Sequence, residues 1–115
     1  MWNELSMLKG RDLQTLGRAR RFSIVDITCA AVLVRPGCSG SERIIPRAQI
    51  DAAYRQLVQH GNIDLAGIRH HSEMNPVYVA AMLAELPGIT SRSRPKIVLT
   101  CTNRVDIAPT FPVRR

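Results

Sequence analysis

Residues 46–88, PRAQIDAAYRQLVQHGNIDLAGIRHHSEMNPVYVAAMLAELPG, predict three consecutive helices. In the first of them, bulky or small apolar residues recur at the i, i+3, i+4 and i+7 spacing of one helix face: Ile50, Ala53, Tyr54 and Leu57. Pro46 suits the first helical turn, and Gly61 stands where a C-terminal cap is expected. This stretch therefore predicts a helix with one buried face.

Two shorter helices complete this stretch. The sequence DLAGIRHH, residues 64–71, predicts a short helix capped by Asp64 or Asn62. The sequence NPVYVAAMLAEL, residues 75–86, predicts a third helix that Asn75 caps and that the following Pro-Gly pair ends.

Segments rich in β-branched residues lie on both sides of the helices. FSIVDITCAAVLVRPG, from residue 22, predicts strands at about 22–28 and 31–35, and RIIP predicts a third short strand. KIVLTCT predicts a late strand. Upstream of residue 22, leucines at helical spacing are interrupted by Gly10 and Gly17, so one short helix or two half-turns would satisfy the pattern.

This order of elements predicts an α+β fold: an N-terminal β-hairpin with short strands, a three-helix, winged-helix-like core, and a late C-terminal strand. A DNA-reading winged helix would use residues 75–86 as its recognition helix and the basic loop Thr90–Lys96 as its wing. However, residues 76–86 contain one charge, Glu85, and no arginine, lysine or glutamine. We therefore expect this helix to form the buried centre of the domain.

The net charge of +7 is concentrated at the two ends of what we predict to be a single domain, residues 1–115. The basic N-terminal segment, 1–21, has five basic and two acidic residues, and the basic C-terminal segment, 90–115, has six basic and one acidic residue. The core, 22–89, has five basic and six acidic residues. Fourteen of the sixteen cations are arginine, whose planar fork suits phosphate.

Cysteine content and hydropathy favour a cytoplasmic protein. The three cysteines include no CxxC pair, which indicates neither a disulfide framework nor a zinc ribbon. Cys29 and Cys101 lie in apolar segments and are expected to be buried, whereas Cys38 lies in an exposed loop. No apolar run approaches the ~20 residues that cross a bilayer, and residues 1–10 lack the apolar run of a signal peptide.

The histidine pair in IRHHSEMN is the strongest candidate for enzyme or metal chemistry. Adjacent residues on a helix point about 100° apart, and HHSE is not the HExxH pattern, so neither His70 nor His71 with Glu73 makes a convincing metal site. His60 would have to join them across the fold. The favoured interpretation is a polar joint between helices, and the alternative is an anion-facing patch with Arg69. We predict no enzyme activity, no cofactor and no metal.

The run from Phe22 to Ile89 also resembles a small domain found with bacterial restriction-type nucleases. The shared pattern is a short hairpin, a Ser-Gly-Lys/Glu-Arg turn, a helix, and an Asn-x-x-Tyr-hydrophobic helix, represented here by FSIVDI, VLVRPGCSGSERIIPR, HGNI and NPVYVAAMLAELP. It covers about three fifths of the chain. The resemblance implies a DNA-associated accessory role and carries no catalytic residue to this chain.

From the sequence we therefore predict a small non-catalytic module that binds nucleic acid, duplex DNA above single strands, through arginine-phosphate contacts. The alternative is a protein-interaction subunit of a larger complex that binds an acidic partner. No membrane partner is predicted. The predicted nucleic-acid-binding residues are Arg18, Arg20, Arg21, Arg43, Arg47, Arg69, His70, Arg92, Arg94 and Lys96.

Overall fold

A computed structural model describes residues 1–37 and 41–102, and it has a mixed α+β architecture of two antiparallel sheets and four helices. The helices are α1 (Trp2–Ser6), α2 (Arg47–His60), α3 (Leu65–His71) and α4 (Pro76–Ala84). The strands are β1 (Asp12–Gln14), β2 (Arg21–Ile27), β3 (Ala31–Pro36), β4 (Arg43–Pro46), β5 (Asn62–Asp64), β6 (Ile89–Arg92) and β7 (Val98–Cys101).

The three consecutive helices predicted for residues 46–88 are all present. Helix α2 buries Ile50, Ala53 and Leu57, as its periodicity predicts. It ends at Gly61, whose left-handed φ of 83° lets its N–H donate to the Leu57 carbonyl at 2.8 Å. Pro46 precedes the helix in extended conformation, at the N-cap position rather than in the first turn.

Of the two predicted side-chain N-caps, one forms and the other does not. Asp64 caps α3, and its Oδ1 accepts the Gly67 N–H at 2.8 Å. Asn75 occupies the N-cap position of α4 but makes no capping hydrogen bond, which corrects the prediction. Its Oδ1 is buried and has no donor in the described part of the chain.

A three-stranded sheet in the order β5-β7-β6 packs against these helices. Strand β5 lies between α2 and α3, and it pairs with β7, the last described strand, with Ile63 opposite Leu99. The resulting sequence of helix, strand, helix, helix, strand, strand is the winged-helix-like plan, and the wing is the β6–β7 hairpin. The loop predicted for Thr90–Lys96 was partly wrong, because Thr90 to Arg92 pair with β7 as a strand.

The N-terminal strands form a four-stranded antiparallel sheet in the order β1-β2-β3-β4. Strands β2, β3 and β4 confirm the predicted hairpin and the RIIP strand. The Thr28 hydroxyl accepts the Ala30 and Ala31 N–H groups and forms the tight turn between β2 and β3. Cys29 is exposed in this turn, so the expectation that it is buried was wrong, whereas Cys101 is buried as expected. Cys38 lies outside the described residues.

Helix α4 is the centre of the molecule, which confirms the expectation from its composition. It contacts β1 of one sheet and β6 and β7 of the other, and its core side chains include Val79, Met82 and Leu83, none of them exposed. Because it is apolar around most of its circumference, it is a buried helix. No residue from Pro76 to Ala84 is exposed, so this helix presents no fully exposed side chain for base readout.

The N-terminal leucines belong to the same core. Leu5 and Leu8 are buried from α1 and the turn after it, and Leu13 is buried from β1. The segment is therefore one short helix followed by a strand, because Gly10 turns the chain between them with a φ of 83°. Among the described residues, no helix is both long and apolar enough to cross a bilayer.

Candidate functional site

The basic side chains divide into two groups according to whether a carboxylate neutralises them. Five are ion-paired: Lys9 with Asp26, Arg11 with Glu85, Arg35 with Glu42, Arg47 with Asp51, and Lys96 with Asp64. Within residues 1–37 and 41–102, the arginines that form no ion pair are Arg18, Arg20, Arg21, Arg43, Arg55, Arg69, Arg92 and Arg94. Uncompensated cations on a surface are the ones available to an external anion.

Four of these unpaired arginines line one concave surface, which we name the arginine cleft. Arg18 and Arg20 come from the β1–β2 connection, Arg21 is the first residue of β2, and Arg69 comes from the last turn of α3. All four side chains are exposed. The cleft has a volume of about 420 Å³, and no carboxylate is among the described residues that line it.

The interior of the arginine cleft is apolar. Leu65, the first residue of α3, and Ile97, which precedes β7, contribute half-buried side chains. Val77 and Tyr78 contribute half-buried side chains from the first turn of α4. The Tyr78 ring packs edge-on against Phe22 with centroids 5.0 Å apart. The site thus combines exposed guanidinium groups with a half-buried hydrophobic lining.

A closed backbone loop holds Arg18 and Arg20 in place. The Thr15 N–H donates to the Arg20 carbonyl at 2.9 Å, and the Thr15 hydroxyl accepts the Arg20 N–H at 3.1 Å. Gly17 and Ala19 have positive φ values of 86° and 53°, so the chain turns tightly on either side of Arg18. This loop, residues 15–21, which we name the arginine loop, is therefore a defined platform, although no hydrophobic pattern in the sequence indicates it.

Gly17 also fastens this loop to the wing. A Cβ atom at Gly17 would lie 3.5 Å from the Ile97 Cδ1 atom, so the loop backbone lies directly over the Ile97 side chain. Ile97 precedes β7, and its carbonyl accepts the Leu65 N–H at 3.1 Å. This contact brings the basic N-terminal segment next to the wing.

The start of α4 adds to the positive potential of the arginine cleft. Pro76 has no N–H, and the N–H groups of Val77 and Tyr78, at the next two positions, receive no side-chain cap from Asn75. Val77 and Tyr78 both line the cleft, so the first turn of α4, where the positive end of the helix dipole lies, borders it. Arg43 approaches from β4, with its Cζ atom 5.7 Å from the Tyr78 ring centroid.

Other predicted site residues lie away from the arginine cleft. Arg47 stacks over the Trp2 ring at 4.6 Å, pairs with Asp51 at 3.2 Å and donates to the Cys29 carbonyl at 3.3 Å. These contacts tie α2 to α1 and to the β2–β3 turn. The guanidinium group of Arg47 is therefore engaged in contacts within the protein, whereas the unpaired arginines form no ion pair with a described residue.

The wing cations line a second concavity, which we name the polar cleft. Arg92 and Lys96 border it with His60, and its volume is about 530 Å³. The Lys96 ammonium lies 3.2 Å from Asp64 Oδ2. The Gly67 N–H and then Lys96 hold the pKa of Asp64 below its usual value, so this carboxylate remains charged. Arg94, between the two wing strands, is exposed and outside both clefts.

The histidine pair forms a joint, as the favoured interpretation had it. His71 Nε2 lies 2.7 Å from Gln56 Oε1, and the buried Ser72 hydroxyl donates to Gln49 Oε1 at 2.8 Å. Both contacts fasten the α3–α4 connection to α2. His70 is exposed, with its ring against that of His71. Within the described residues, no group of three histidine, cysteine or acidic side chains could hold a metal ion.

The structure therefore brings together Arg18, Arg20, Arg21 and Arg69, places Arg43 beside them, and leaves Arg47, His70 and the wing cations apart from them. Sequence reasoning missed the apolar half of the site, Tyr78 above all, because only the folded chain shows which residues of α4 line the cleft. The chain matches no protein-family model, and no curated protein or solved structure is significantly similar to it. The resemblance seen in residues 22–89 thus stays a prediction.

Proposed function

We propose that this protein is a non-catalytic nucleic-acid-binding module that holds duplex DNA through the phosphate contacts of its arginine cleft. The observation that carries the proposal is that four exposed, unpaired arginines line one surface to which residues 1–37 and 41–102 contribute no carboxylate. Phosphate is the anion whose geometry the guanidinium fork fits best, often through two parallel hydrogen bonds.

The position of the wing supports a polyanion as the ligand. Arg92 and Arg94 are unpaired cations on the hairpin whose connecting loop contacts the arginine loop through Ile97 and Gly17. Each strand of a duplex carries about one charge per 3.4 Å of its axis, so one continuous backbone offers a series of phosphates to both groups of cations. An isolated small anion would engage only one of them.

The form of binding follows from what α4 does in the fold. Since α4 is buried, base edges in the major groove are not read by that helix, and we expect phosphate contacts that are largely independent of sequence. Aromatic side chains are also too few for a stacking platform along a single strand, with two Phe, two Tyr and one Trp in the whole chain. We further propose a cytoplasmic, bacterial protein that works as an accessory subunit of a larger assembly.

Fluorescence anisotropy with a labelled duplex, titrated at several salt concentrations, tests this function. We expect saturable binding whose log Kd rises linearly with log salt concentration, by about 0.9 for each phosphate neutralised. An acidic polypeptide serves as competitor. Stronger competition by the polypeptide than by unlabelled duplex would favour the alternative function, an interaction subunit for an acidic protein. No binding at low salt would rule out the nucleic-acid proposal.

A further inference from the structure

The arginine cleft differs from a surface built to follow a continuous backbone. Phosphodiesters along a duplex lie on a convex ridge and carry one charge each. The arginine cleft is concave, and its volume of about 420 Å³ lies within the ~300–1,000 Å³ of pockets that enclose a small ligand. A chain end can enter such a site, whereas the interior of a duplex strand can contact only the exposed guanidinium groups at its rim.

The charge in the cleft is concentrated at one place. Arg18, Arg20, Arg21 and Arg69 share it, and the uncapped start of α4 opens on the same space. A terminal phosphate monoester has a charge of about −1.5 to −2 at pH 7 and three acceptor oxygens, against one charge for a diester. Several converging guanidinium groups therefore favour the monoester over an internal phosphate.

The apolar lining gives the rest of the terminal nucleotide a place to bind. Leu65, Val77 and Ile97 offer aliphatic surface, and the half-buried Tyr78 offers part of a ring and a hydroxyl that makes no hydrogen bond to the described residues. A base or sugar placed there would remove apolar surface from water while its phosphate remained at the arginines. Inorganic phosphate would contact only the arginines and would leave the apolar lining exposed to water.

We infer that the arginine cleft captures the phosphorylated terminal nucleotide of a nucleic-acid strand, so that the protein prefers strand ends to the interior of a duplex. This inference rests on the proposed function and specifies the part of the nucleic acid that the cleft takes. The wing and the remaining exposed arginines then contact the adjacent backbone.

The experiment compares five ligands in one competition assay at fixed salt. They are a relaxed circular duplex, a linear duplex with 5′-hydroxyl ends, the same duplex with 5′-phosphate ends, the same duplex with 3′-phosphate ends, and the 5′-phosphate duplex with abasic terminal nucleotides. We expect one of the two phosphorylated duplexes to bind about tenfold more tightly than the hydroxyl duplex, the gain typical of an added charge-assisted contact. We expect the abasic form to lose several-fold of that gain if the 5′ end is the preferred one.

Two matched variants assign the preference to the cleft. Arg69→Ala should reduce the ratio between phosphorylated and hydroxyl ends to below about threefold, because it removes a cleft cation. Arg55→Ala removes an equally exposed and unpaired arginine that does not line the cleft, and it should leave the ratio unchanged. Since both side chains are exposed, neither change should prevent folding, and circular dichroism of each variant checks this.

Failure of this inference is separable from failure of the proposed function. Equal binding of all linear and circular ligands per unit length would overturn end capture and leave duplex binding intact. Equal loss of the ratio in the Arg55 and Arg69 variants would also overturn it. Absence of binding to every ligand would refute the proposed function itself.

Discussion

The arginine cleft and the polar cleft lie on opposite sides of the same backbone junction, and they differ in how their cations are compensated. Leu65 and Ile97, joined by a backbone hydrogen bond of 3.1 Å, both line the arginine cleft. Their neighbours Asp64 and Lys96 line the polar cleft and form an ion pair. One side of the junction thus has cations with no carboxylate, and the other has its own internal counter-ion.

This difference shows why a count of basic residues does not identify a binding surface. Lys96 contributes to the charge of the C-terminal segment just as Arg18 does to that of the N-terminal segment. In the folded chain, however, Lys96 already forms an ion pair with the carboxylate of Asp64, the N-cap residue of α3. A phosphate would have to compete with Asp64 for Lys96, and it would meet no such competitor in the arginine cleft.

The largest expected effect comes from removing the cations of the arginine loop. Replacement of Arg18, Arg20 and Arg21 together by alanine should weaken duplex binding by roughly 500-fold near 0.1 M salt, because each neutralised phosphate contributes roughly eightfold there. The slope of log Kd against log salt concentration should fall by about 3. Salt-titrated anisotropy measures both quantities.

The control for this triple variant is its thermal unfolding. The three side chains are exposed and form no ion pair with a described residue, so the midpoint should stay within a few degrees of the wild-type value. A triple variant that binds DNA normally would show that the arginine cleft is not the interface. One that fails to fold would show that these arginines are structural.

The elements that sequence predicted well are those whose signal is local. The apolar spacing of Ile50, Ala53 and Leu57 specifies α2, and the β-branched runs specify β2 and β3. The strands that were missed have only three or four residues: β1, β5 and β6. Each becomes a strand through pairing with a partner, and for β5 that partner is more than thirty residues away. A short window of sequence does not contain this information.

The candidate site was predicted in parts and not as a site. Charge counting identified Arg18, Arg20 and Arg21 correctly as a basic segment, but it gave no reason to place Arg69 beside them. That proximity depends on the packing of the arginine loop over Ile97, which in turn depends on the β5–β7 pairing. Tyr78 was missed for the same reason, because only the folded chain shows which side of α4 faces the cleft.

Neutralising Asp64 would make the polar cleft resemble the arginine cleft. Asp64→Asn should tighten duplex binding by about fivefold, because it releases Lys96 for one additional phosphate contact. Asparagine is as good an N-cap as aspartate, so α3 should keep its cap. Anisotropy at about 0.1 M salt, with thermal unfolding alongside, gives the result.

The matched control for that gain is Asp51→Asn. It makes the same change of charge in another ion-paired aspartate, and it releases Arg47 beside Trp2, away from both clefts. Its effect on binding should be below about twofold. Equal gains in the two variants would mean that overall charge decides affinity, and the distinction between the two clefts would then have no functional meaning.

The smallest expected effect concerns stability in acid. The pKa of Asp64 is lowered in the folded protein, first by the Gly67 N–H and then by Lys96. A lowered pKa means that the charged carboxylate stabilises the fold above its unfolded-state pKa, and that this contribution is lost as the pH falls through the lower folded-state value. Wild type should therefore exceed Asp64→Asn in unfolding free energy at pH 7, by less than about 1 kcal/mol, and the difference should vanish in strong acid.

Urea unfolding between pH 7 and strong acid measures this difference, and Lys96→Ala separates its two causes. Since the Gly67 N–H also lowers this pKa, and is its first cause, the Lys96 variant should keep a measurable part of the acid-sensitive stability. Complete loss of the acid-sensitive stability in the Lys96 variant would instead mean that the ion pair, and not the helix cap, accounts for the stabilising effect of the Asp64 charge. In the expected case Asp64 stabilises the fold both by capping α3 and by pairing with Lys96. The counter-ion of the polar cleft is then also the N-cap of a helix. The arginine loop meets its own backbone needs through Thr15 and requires no carboxylate, which leaves its cations free for a ligand.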